Sequence, residues 1–185
     1  MPRFDDIVLK PLLGQPAEVL EALREIRNTE GVRKYMYSDH LISRDEHARW
    51  LERLAETPAD QAMVVMGAKG VVGYAAIQQI NQTHKTAEWA FYIDPAYKAP
   101  GVGSVIEYRV LNLAFDDLGL EKLNCAVLDT NQSVIELHRK FGFVLEGIRR
   151  SNIQKDGHRL DVHLLGLTRE EWNLARPRFA KLFGE

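Results

Sequence analysis

The chain has 185 residues, of which 45% are hydrophobic and 27% charged, and its formal net charge is −2 at pH 7. This composition is typical of a globular protein with one core, and the balanced charge gives no reason to expect a nucleic-acid partner. No apolar stretch reaches the roughly 20 residues that span a bilayer, and residues 1–10 lack the apolar segment of a signal peptide. We therefore expect a single domain, residues 1–185, without a membrane partner.

Cysteine and histidine usage gives the compartment and argues against a metal. The one cysteine, Cys125, excludes an intrachain disulfide and fits a reducing cytoplasm, and its apolar neighbours indicate a core position. The six histidines are scattered, and none forms the spacing of a zinc site. We expect a cytoplasmic protein without a metal.

The N-terminal half of the chain passes from helical to extended patterns. Residues 7–9 are typical of a short strand, and residues 17–27 carry apolar side chains at helical spacing. The polar stretch 27–38 predicts a loop with a helical turn. Ser43 and Glu46 form a capping box that opens a helix to about Glu56. Three strands follow, with a hairpin turn at 67–70 between the first two: 61–66, 71–80 and 87–93.

The C-terminal half alternates helices and strands. A helix from about Val102 ends at Leu118, where Gly119 supplies the C-terminal cap. A strand at 123–128 leads to a helix at 131–141 that stops at Gly142. Two strands, 143–153 and 160–167, flank the turn 155–158, and Thr168 caps a last helix.

The order of these elements determines the fold class. Hairpins flank a single strand–helix–strand crossover, which makes the sheet mixed. We predict an α/β (α+β) fold with a mixed, mostly antiparallel central sheet of about seven strands flanked by helices.

The segment 97–104 lies between a strand and a helix and carries two glycines. Gly101 and Gly103 let the backbone approach a ligand closely. The first amides of the helix have no intrahelical partner, and a pyrophosphate is the natural occupant of such a turn. An ordinary strand–helix turn is the alternative, since Ile106 stands where a dinucleotide fingerprint needs its third glycine.

Several segments together resemble the GNAT superfamily of acyl-CoA N-acyltransferases, over essentially the whole chain. Lys98-x-x-Gly101-x-Gly103 is similar to its Gln/Arg-x-x-Gly-x-Gly/Ala signature, with Lys98 in place of the usual Arg or Gln. The other matches are Asn131 with Ser133 at a strand end, His138 to Phe143 for the family's Tyr-x-x-x-Gly-Phe, and Leu145 to Trp172, which resembles the ribosomal-protein N-terminal acetyltransferases.

The resemblance implies acetyl-CoA as cosubstrate. In the family, the strand ending near Ile93 splays from the strand ending near Asp129, and the pantetheine arm pairs with the backbone groups left free. A backbone N–H near Ile93 would polarise the acetyl carbonyl. The cofactor-binding residues expected are Ile93, Lys98, Gly101, Val102, Gly103, Ser104, Asn131 and Ser133, with the amides of residues 102–104 at the pyrophosphate.

Two residues are the catalytic candidates. The attacking amine must be neutral, whereas a free amine is mostly protonated near pH 7, so a general base is useful. Glu88 opens the strand beside the cofactor and is the candidate base, although a solvated strand-end charge is the alternative. The leaving thiolate needs a proton. Where the family uses a Tyr, this chain has His138, which donates when charged or else serves in packing.

The N-terminal third resembles the acetyltransferases of pseudaminic acid biosynthesis, which acetylate the 4-amino group of a UDP-linked 4-amino-4,6-dideoxy-N-acetyl-altrosamine. The resemblance lies in the spacing Arg-Asn…Met-Tyr-Ser…Ile…His-x-x-Trp between Arg27 and Trp50. It implies a nucleotide-linked amino sugar as small-molecule substrate, with arginines at the diphosphate and aromatic rings on sugar or base. The substrate-binding residues expected are Arg27, Arg33, Met36, Tyr37 and His47.

Other acceptors and one other class of protein remain open. A protein N-terminus, notably of a ribosomal protein, is a second acceptor. A polyamine is a third, and it requires an acidic cleft that Glu18, Glu21 and Glu25 do not obviously supply. A non-catalytic acyl-CoA sensor is the alternative from another class, because His138 replaces the Tyr. A homodimer is compatible with the sequence, which does not reveal the oligomeric state.

Overall fold

Strands and helices follow one another in the predicted order. The computed structural model describes residues 6–57, 60–97 and 99–184. Its strands are Val8–Pro11 (β1), Gln61–Gly67 (β2), Gly70–Asn81 (β3), Thr86–Ile93 (β4), Lys122–Leu128 (β5), Val144–Lys155 (β6) and His158–Thr168 (β7). Its helices are Ala17–Asn28 (α1), Glu30–Arg33 (α2), Arg44–Ala55 (α3), Val102–Asn112 (α4), Gln132–Phe141 (α5) and Arg169–Phe183 (α6).

Two predicted boundaries need correction. The helix expected to run from Val102 to Leu118 is α4 followed by a π-helical segment, Leu113–Asp117, closed by a hydrogen bond from the Leu118 N–H to the Leu113 carbonyl. The second hairpin is tighter than predicted, because Asp156 and Gly157 both have positive φ and make a two-residue turn. The strands therefore extend to Lys155 and from His158.

The seven strands form one sheet in the order β1-β2-β3-β4-β5-β7-β6. All neighbours are antiparallel except β4 and β5, which confirms the predicted mixed, mostly antiparallel sheet. The parallel pair is short: residues 86–88 of β4 pair with residues 122–124 of β5, and the register ends there. Beyond it the two strands part, as the sequence resemblance implied.

Helices cover both faces of the sheet. The larger apolar cluster lies between the sheet and α4, α5 and α6, and includes Trp89, Tyr108 and Phe115. The smaller cluster, around Leu23 and Val64, lies between the sheet and α1 and α3. In the described part of the chain, no helix is both long and apolar enough to cross a membrane.

The capping boxes predicted at Ser43 and Thr168 are both present. Each hydroxyl accepts the N–H three residues on, from Glu46 and Glu171, whose carboxylates accept the cap backbone N–H in return. These contacts fix where α3 and α6 begin.

Three aromatic rings join α5 to α6. The rings of Phe141 and Phe179 are nearly parallel, with centroids 3.9 Å apart, and Trp172 lies about 6 Å from both. All three side chains are buried. This stack holds the two helices together behind β5 and β7.

A buried lysine anchors the segment after α2. Lys155, 7% exposed, donates from Nζ to the carbonyls of Arg33 (2.6 Å) and Met36 (3.1 Å). The Arg33 guanidinium donates to the carbonyls of Asn28 and Asp39. The end of the β6–β7 hairpin and Arg33 thus together hold residues 33–39 against the sheet.

Replacing Phe141 with Ala should lower the free energy of unfolding by about 3–5 kcal/mol. The substitution would leave a cavity enclosed by the rings of Phe179 and Trp172. Leu174→Ala on α6 is the matched control. Its side chain is 80% exposed, and its effect should stay within about 0.5 kcal/mol. Denaturant titration measures both, and equal effects would contradict the packing described.

Lys155→Met should loosen the segment it anchors, because two carbonyls lose a charged donor, at a cost of about 1–3 kcal/mol. The amides of Lys34, Tyr35 and Met36 are hydrogen-bonded, and their hydrogen exchange should accelerate roughly tenfold or more. Lys69→Met, in the exposed β2–β3 turn, is the control. Unchanged exchange at 34–36 would refute the anchoring role.

Candidate functional site

The parting of β4 and β5 leaves backbone groups without a strand partner. The Asp94 N–H donates to the Val72 carbonyl at 2.7 Å, and Ile93 is opposite Gly73. Ile93 therefore belongs to a non-hydrogen-bonded pair, and by alternation so does Phe91, so their N–H groups point away from β3. On that side no described strand pairs with β4 beyond Glu88. The N–H groups of Phe91 and Ile93 thus face the space between β4 and β5.

This space is a cavity of about 610 Å³, which we call the β4–β5 cleft. Trp89 and Phe91 of β4 and Val127 and Leu128 of β5 line it. Cys125 also lines it but is buried, and burial raises the pKa of its thiol. The thiol is thus held protonated, as expected of a core cysteine and not of a nucleophile.

The start of α4 retains donors for an anion. Gly101 precedes the helix with φ 86°, and it supplies no side-chain cap. The N–H groups of Gly103 and Ser104 fall in the first turn, where no intrahelical acceptor exists. The Val102 N–H, which was also predicted to bind pyrophosphate, instead donates to the Ala99 carbonyl at 3.2 Å. Lys98 lies outside the described residues.

Two further predicted cofactor residues lie at the start of α5. Asn131 lines the cleft, whereas Ser133 does not. The Ser133 hydroxyl donates to the Asn131 side-chain oxygen at 3.3 Å. Ser133 thereby orients the amide of Asn131, whose NH₂ group has no hydrogen-bond partner among the described residues and can donate to a ligand.

Glu88 lies in the wall of the same cleft, on the β4 face opposite to Trp89 and Phe91. Burial raises the pKa of its carboxyl, and the nearby Arg149 partly opposes this. Arg149 also lines the cleft and was not singled out from the sequence. A carboxyl with a raised pKa in a cleft is suited to accepting a proton.

His138 lines the cleft from α5 and is paired with a second buried residue. Its Nδ1 lies 3.0 Å from Oε1 of Glu107 on α4, with side-chain exposures of 2% and 0%. The rings of Trp89, Phe91 and Phe143 surround the imidazole at centroid distances of 5.0–6.0 Å. Sequence reasoning missed Glu107. The available signal was a lone carboxylate inside the apolar run of α4.

A second cavity, of about 590 Å³, lies on the α1–α3 side, and we call it the arginine cavity. Its walls include the rings of Trp50, Tyr74 and Tyr92, and His47 stacks on Trp50 at 5.3 Å. Among the described residues, its charged lining consists of one carboxylate, Glu46, and four arginines: Arg24, Arg27, Arg49 and Arg53. Of these four arginines, Arg24 alone has a carboxylate within ion-pair distance among the described side chains, that of Glu21.

The two cavities meet at a common wall. The junction is formed by the residues that line both: Arg27, Met36, Gln78, Ala90 and Phe91. Burial lowers the pKa of Arg27, and its Nη1 is buried without a hydrogen-bond partner in the described structure. An unpaired buried guanidinium nitrogen at a junction between cavities is a ready donor to an anionic ligand.

The other predicted acceptor residues divide between the cavities. Met36 lies at the junction, Tyr37 lines the β4–β5 cleft and His47 lines the arginine cavity. Arg33 lines neither, because its guanidinium is taken up by Asn28 and Asp39. Arg33 is therefore placed to shape the loop, not to meet a diphosphate. In the described residues no cluster of metal-ligating side chains occurs.

Comparison with known proteins identifies a family and several relatives that are similar to this chain. The model of the acetyltransferase (GNAT) domain family matches residues 18–164. The chain is 26% identical over 129 residues to spermidine N(1)-acetyltransferase of Vibrio cholerae, covering 69% of this chain and 75% of the relative. It is 24% identical over 139 residues to acetyltransferase PseH of Campylobacter jejuni, covering 75% and 85%.

The fold is shared with a solved structure. Spermidine N-acetyltransferase from Vibrio cholerae, in complex with CoA and spermine, superposes with a TM-score of 0.83 at 22% identity, covering 91% of this chain and 99% of that one. The parted parallel strands, the glycine turn before α4 and the family match lead to one conclusion. The chain belongs to the GNAT family of acetyltransferases and is an acetyl-CoA-dependent N-acetyltransferase.

Proposed function

We propose that the protein acetylates a primary amine on an acceptor that also carries anionic groups, namely the 4-amino group of a UDP-linked 4-amino-4,6-dideoxy sugar. The observation that carries this proposal is the arginine cavity, where four guanidiniums and stacked aromatic rings adjoin the cleft at Arg27. Guanidiniums suit a diphosphate, and aromatic faces suit a base or a deoxy sugar. The resemblance of residues 27–50 to the acetyltransferases of pseudaminic acid biosynthesis supports the same class of acceptor.

A polyamine acceptor fits this cavity poorly, although relatives named spermidine acetyltransferases are similar to the chain. Spermidine is a polycation near pH 7, and the arginine cavity offers it one carboxylate, Glu46, among the described side chains. That carboxylate already accepts the Ser43 N–H and pairs with His40. Like charges in a partly enclosed site repel, so the cavity disfavours a polycation.

The β4–β5 cleft fits acetyl-CoA. The N–H groups of Phe91 and Ile93 face it and suit the pantetheine arm and the acetyl carbonyl. The first-turn N–H groups of Gly103 and Ser104 suit the pyrophosphate, and Asn131 adds a side-chain amide. When bound, acetyl-CoA supplies an activated acetyl group beside the junction with the arginine cavity.

The acid–base roles divide between the two faces of β4. Glu88 faces the side on which the acceptor amine arrives, and it takes the proton that the amine loses, directly or through water. His138 lies on the other side and donates a proton to the departing sulfur. Direct attack in a ternary complex needs both cavities occupied, which their common wall permits.

Thiol release should be fastest with the UDP-4-amino-4,6-dideoxy sugar when it is compared with spermidine and an N-terminal peptide. Arg27→Met should raise KM for the sugar about 10–100-fold, because a charge-assisted hydrogen bond is worth about 1.5–3 kcal/mol, while KM for acetyl-CoA stays unchanged. Arg139→Met, an exposed α5 cation paired with Glu136, is the control. Faster release with spermidine or the peptide would overturn the acceptor assignment.

The acid limb of kcat/KM should lie above the ordinary range of a glutamate, because burial raises the pKa of Glu88 and activity is lost as pH falls through it. Glu88→Gln should remove this limb and lower the rate about 10²–10⁴-fold. Glu146→Gln is the matched control. It removes a negative charge that raises the pKa of Glu88, so the acid limb of this variant should move to lower pH. An unaltered profile in Glu88→Gln would exclude Glu88 as the base.

A further inference from the structure

The buried pair of Glu107 and His138 is unlike the other ion pairs in the described structure. In each of the others at least one side chain is more than a quarter exposed, whereas these two side chains are 0% and 2% exposed. Oε2 of Glu107 is buried and has no partner within the described residues. Such a pair costs desolvation that its own attraction barely repays, and an apolar pair of similar volume would be as stable. Stability therefore does not account for it.

The position of the pair adds the second observation. The imidazole lines the β4–β5 cleft and lies against Phe91, whose N–H faces the same space. Because Nδ1 is engaged by Glu107, Nε2 is the ring nitrogen left for a ligand in the cleft. Glu107 itself lines neither the cleft nor the arginine cavity.

We propose that Glu107 is a positioning residue that holds His138 as the proton donor to the leaving sulfur. The pair of side chains would then take the place of the tyrosine hydroxyl that the family uses. The proposal deepens the role given to His138 above. Glu107 fixes the ring orientation and keeps Nδ1 in a shared hydrogen bond, which leaves the Nε2 proton directed to the cleft.

In the proposed step, Glu88 gains one proton and the Glu107–His138 pair loses one. The amine lone pair forms the N–C bond, the C–S bond breaks with its electrons on sulfur, and Glu88 takes a proton from the amine. Before the step the pair holds two protons, one on Nε2 and one shared between Nδ1 and Oε1. The Nε2 proton passes to sulfur, the shared proton stays, and solvent restores the other after CoA departs.

The electrostatic surroundings of the pair support a retained shared proton. Burial raises the pKa of Glu107, and His138 and Lys140 of α5 oppose this. From β5 the Cys125 thiol faces the pair, and from β4 the neutral Trp89 does. Removing the carboxylate takes away the group that retains this shared proton, so the basic limb of the kcat profile should move to lower pH.

The first test is Glu107→Gln, which keeps the side-chain volume and a hydrogen-bond acceptor. We expect kcat to fall about 10–100-fold, KM for acetyl-CoA to stay unchanged, and the basic limb of the kcat profile to move to lower pH. Loss of activity that is uniform across pH would indicate a merely structural residue and would overturn the proposal, as would an unchanged rate.

A double-mutant cycle with His138→Tyr provides the control, because a phenol needs no carboxylate to orient it. Glu107→Gln should then cost less than twofold in the His138→Tyr background. An equal cost in both backgrounds would overturn the positioning role. The cycle is run with whichever amine the enzyme acetylates fastest, so that a wrong acceptor assignment and a failed proton-donor pair give different results.

If Glu107→Gln does not fold, nitrogen NMR of the wild-type histidines decides the matter. The proposal requires a proton on Nε2 of His138 between pH 6 and pH 8. An imidazole that carries no proton on Nε2 in this range would overturn it.

Discussion

The site depends on the short register between β4 and β5. Three residue pairs hold the parallel strands together, and beyond Glu88 the strands part. Unpaired N–H and C=O groups inside a protein are costly unless something satisfies them. The sheet therefore keeps, at its centre, backbone donors and acceptors that an extended ligand can satisfy as a strand would. The glycine turn and Asn131 lie at the same end, where β4 and β5 lead into α4 and α5.

The alternation of side chains along β4 places the two proposed catalytic residues on opposite sides of the sheet. Trp89, Phe91 and Ile93 point to the α4–α5 side, among the residues that hold His138. By the same alternation Glu88 and Tyr92 point to the α1–α3 side, where Tyr92 lines the arginine cavity. Because successive side chains face opposite layers, β4 presents Glu88 on one side of the sheet and the rings that surround His138 of α5 on the other, which is the arrangement that the proposed proton acceptor and donor require. A one-residue shift in register would exchange these faces.

Much of the fold could be predicted because local chemistry determined it. The capping boxes at Ser43 and Thr168, the glycine turn and the alternation of β2 to β4 each depend on residues a few positions apart. The π-helical end of α4 was missed, since nothing at 113–117 distinguishes it from an α-helix.

The site was harder to predict from the sequence because its contacts join residues that are far apart in the chain. Glu107 and His138 are 31 positions apart, and only the packing of α4 on α5 brings them together. The sequence suggested Arg33 as a phosphate ligand, but in the fold its Nε and Nη1 donate to the backbone carbonyls of Asn28 and Asp39. Composition reports which charges exist, whereas the fold decides which of them are already neutralised.

The anchoring by Lys155 has a consequence for how the enzyme is made. Its bond to the Arg33 carbonyl spans 122 positions, so the loop is synthesised long before the residue that secures it. Closing so long a loop is entropically costly until the strands between have assembled. Residues 33–39 are therefore secured only when the β6–β7 hairpin docks, late in the synthesis of the chain.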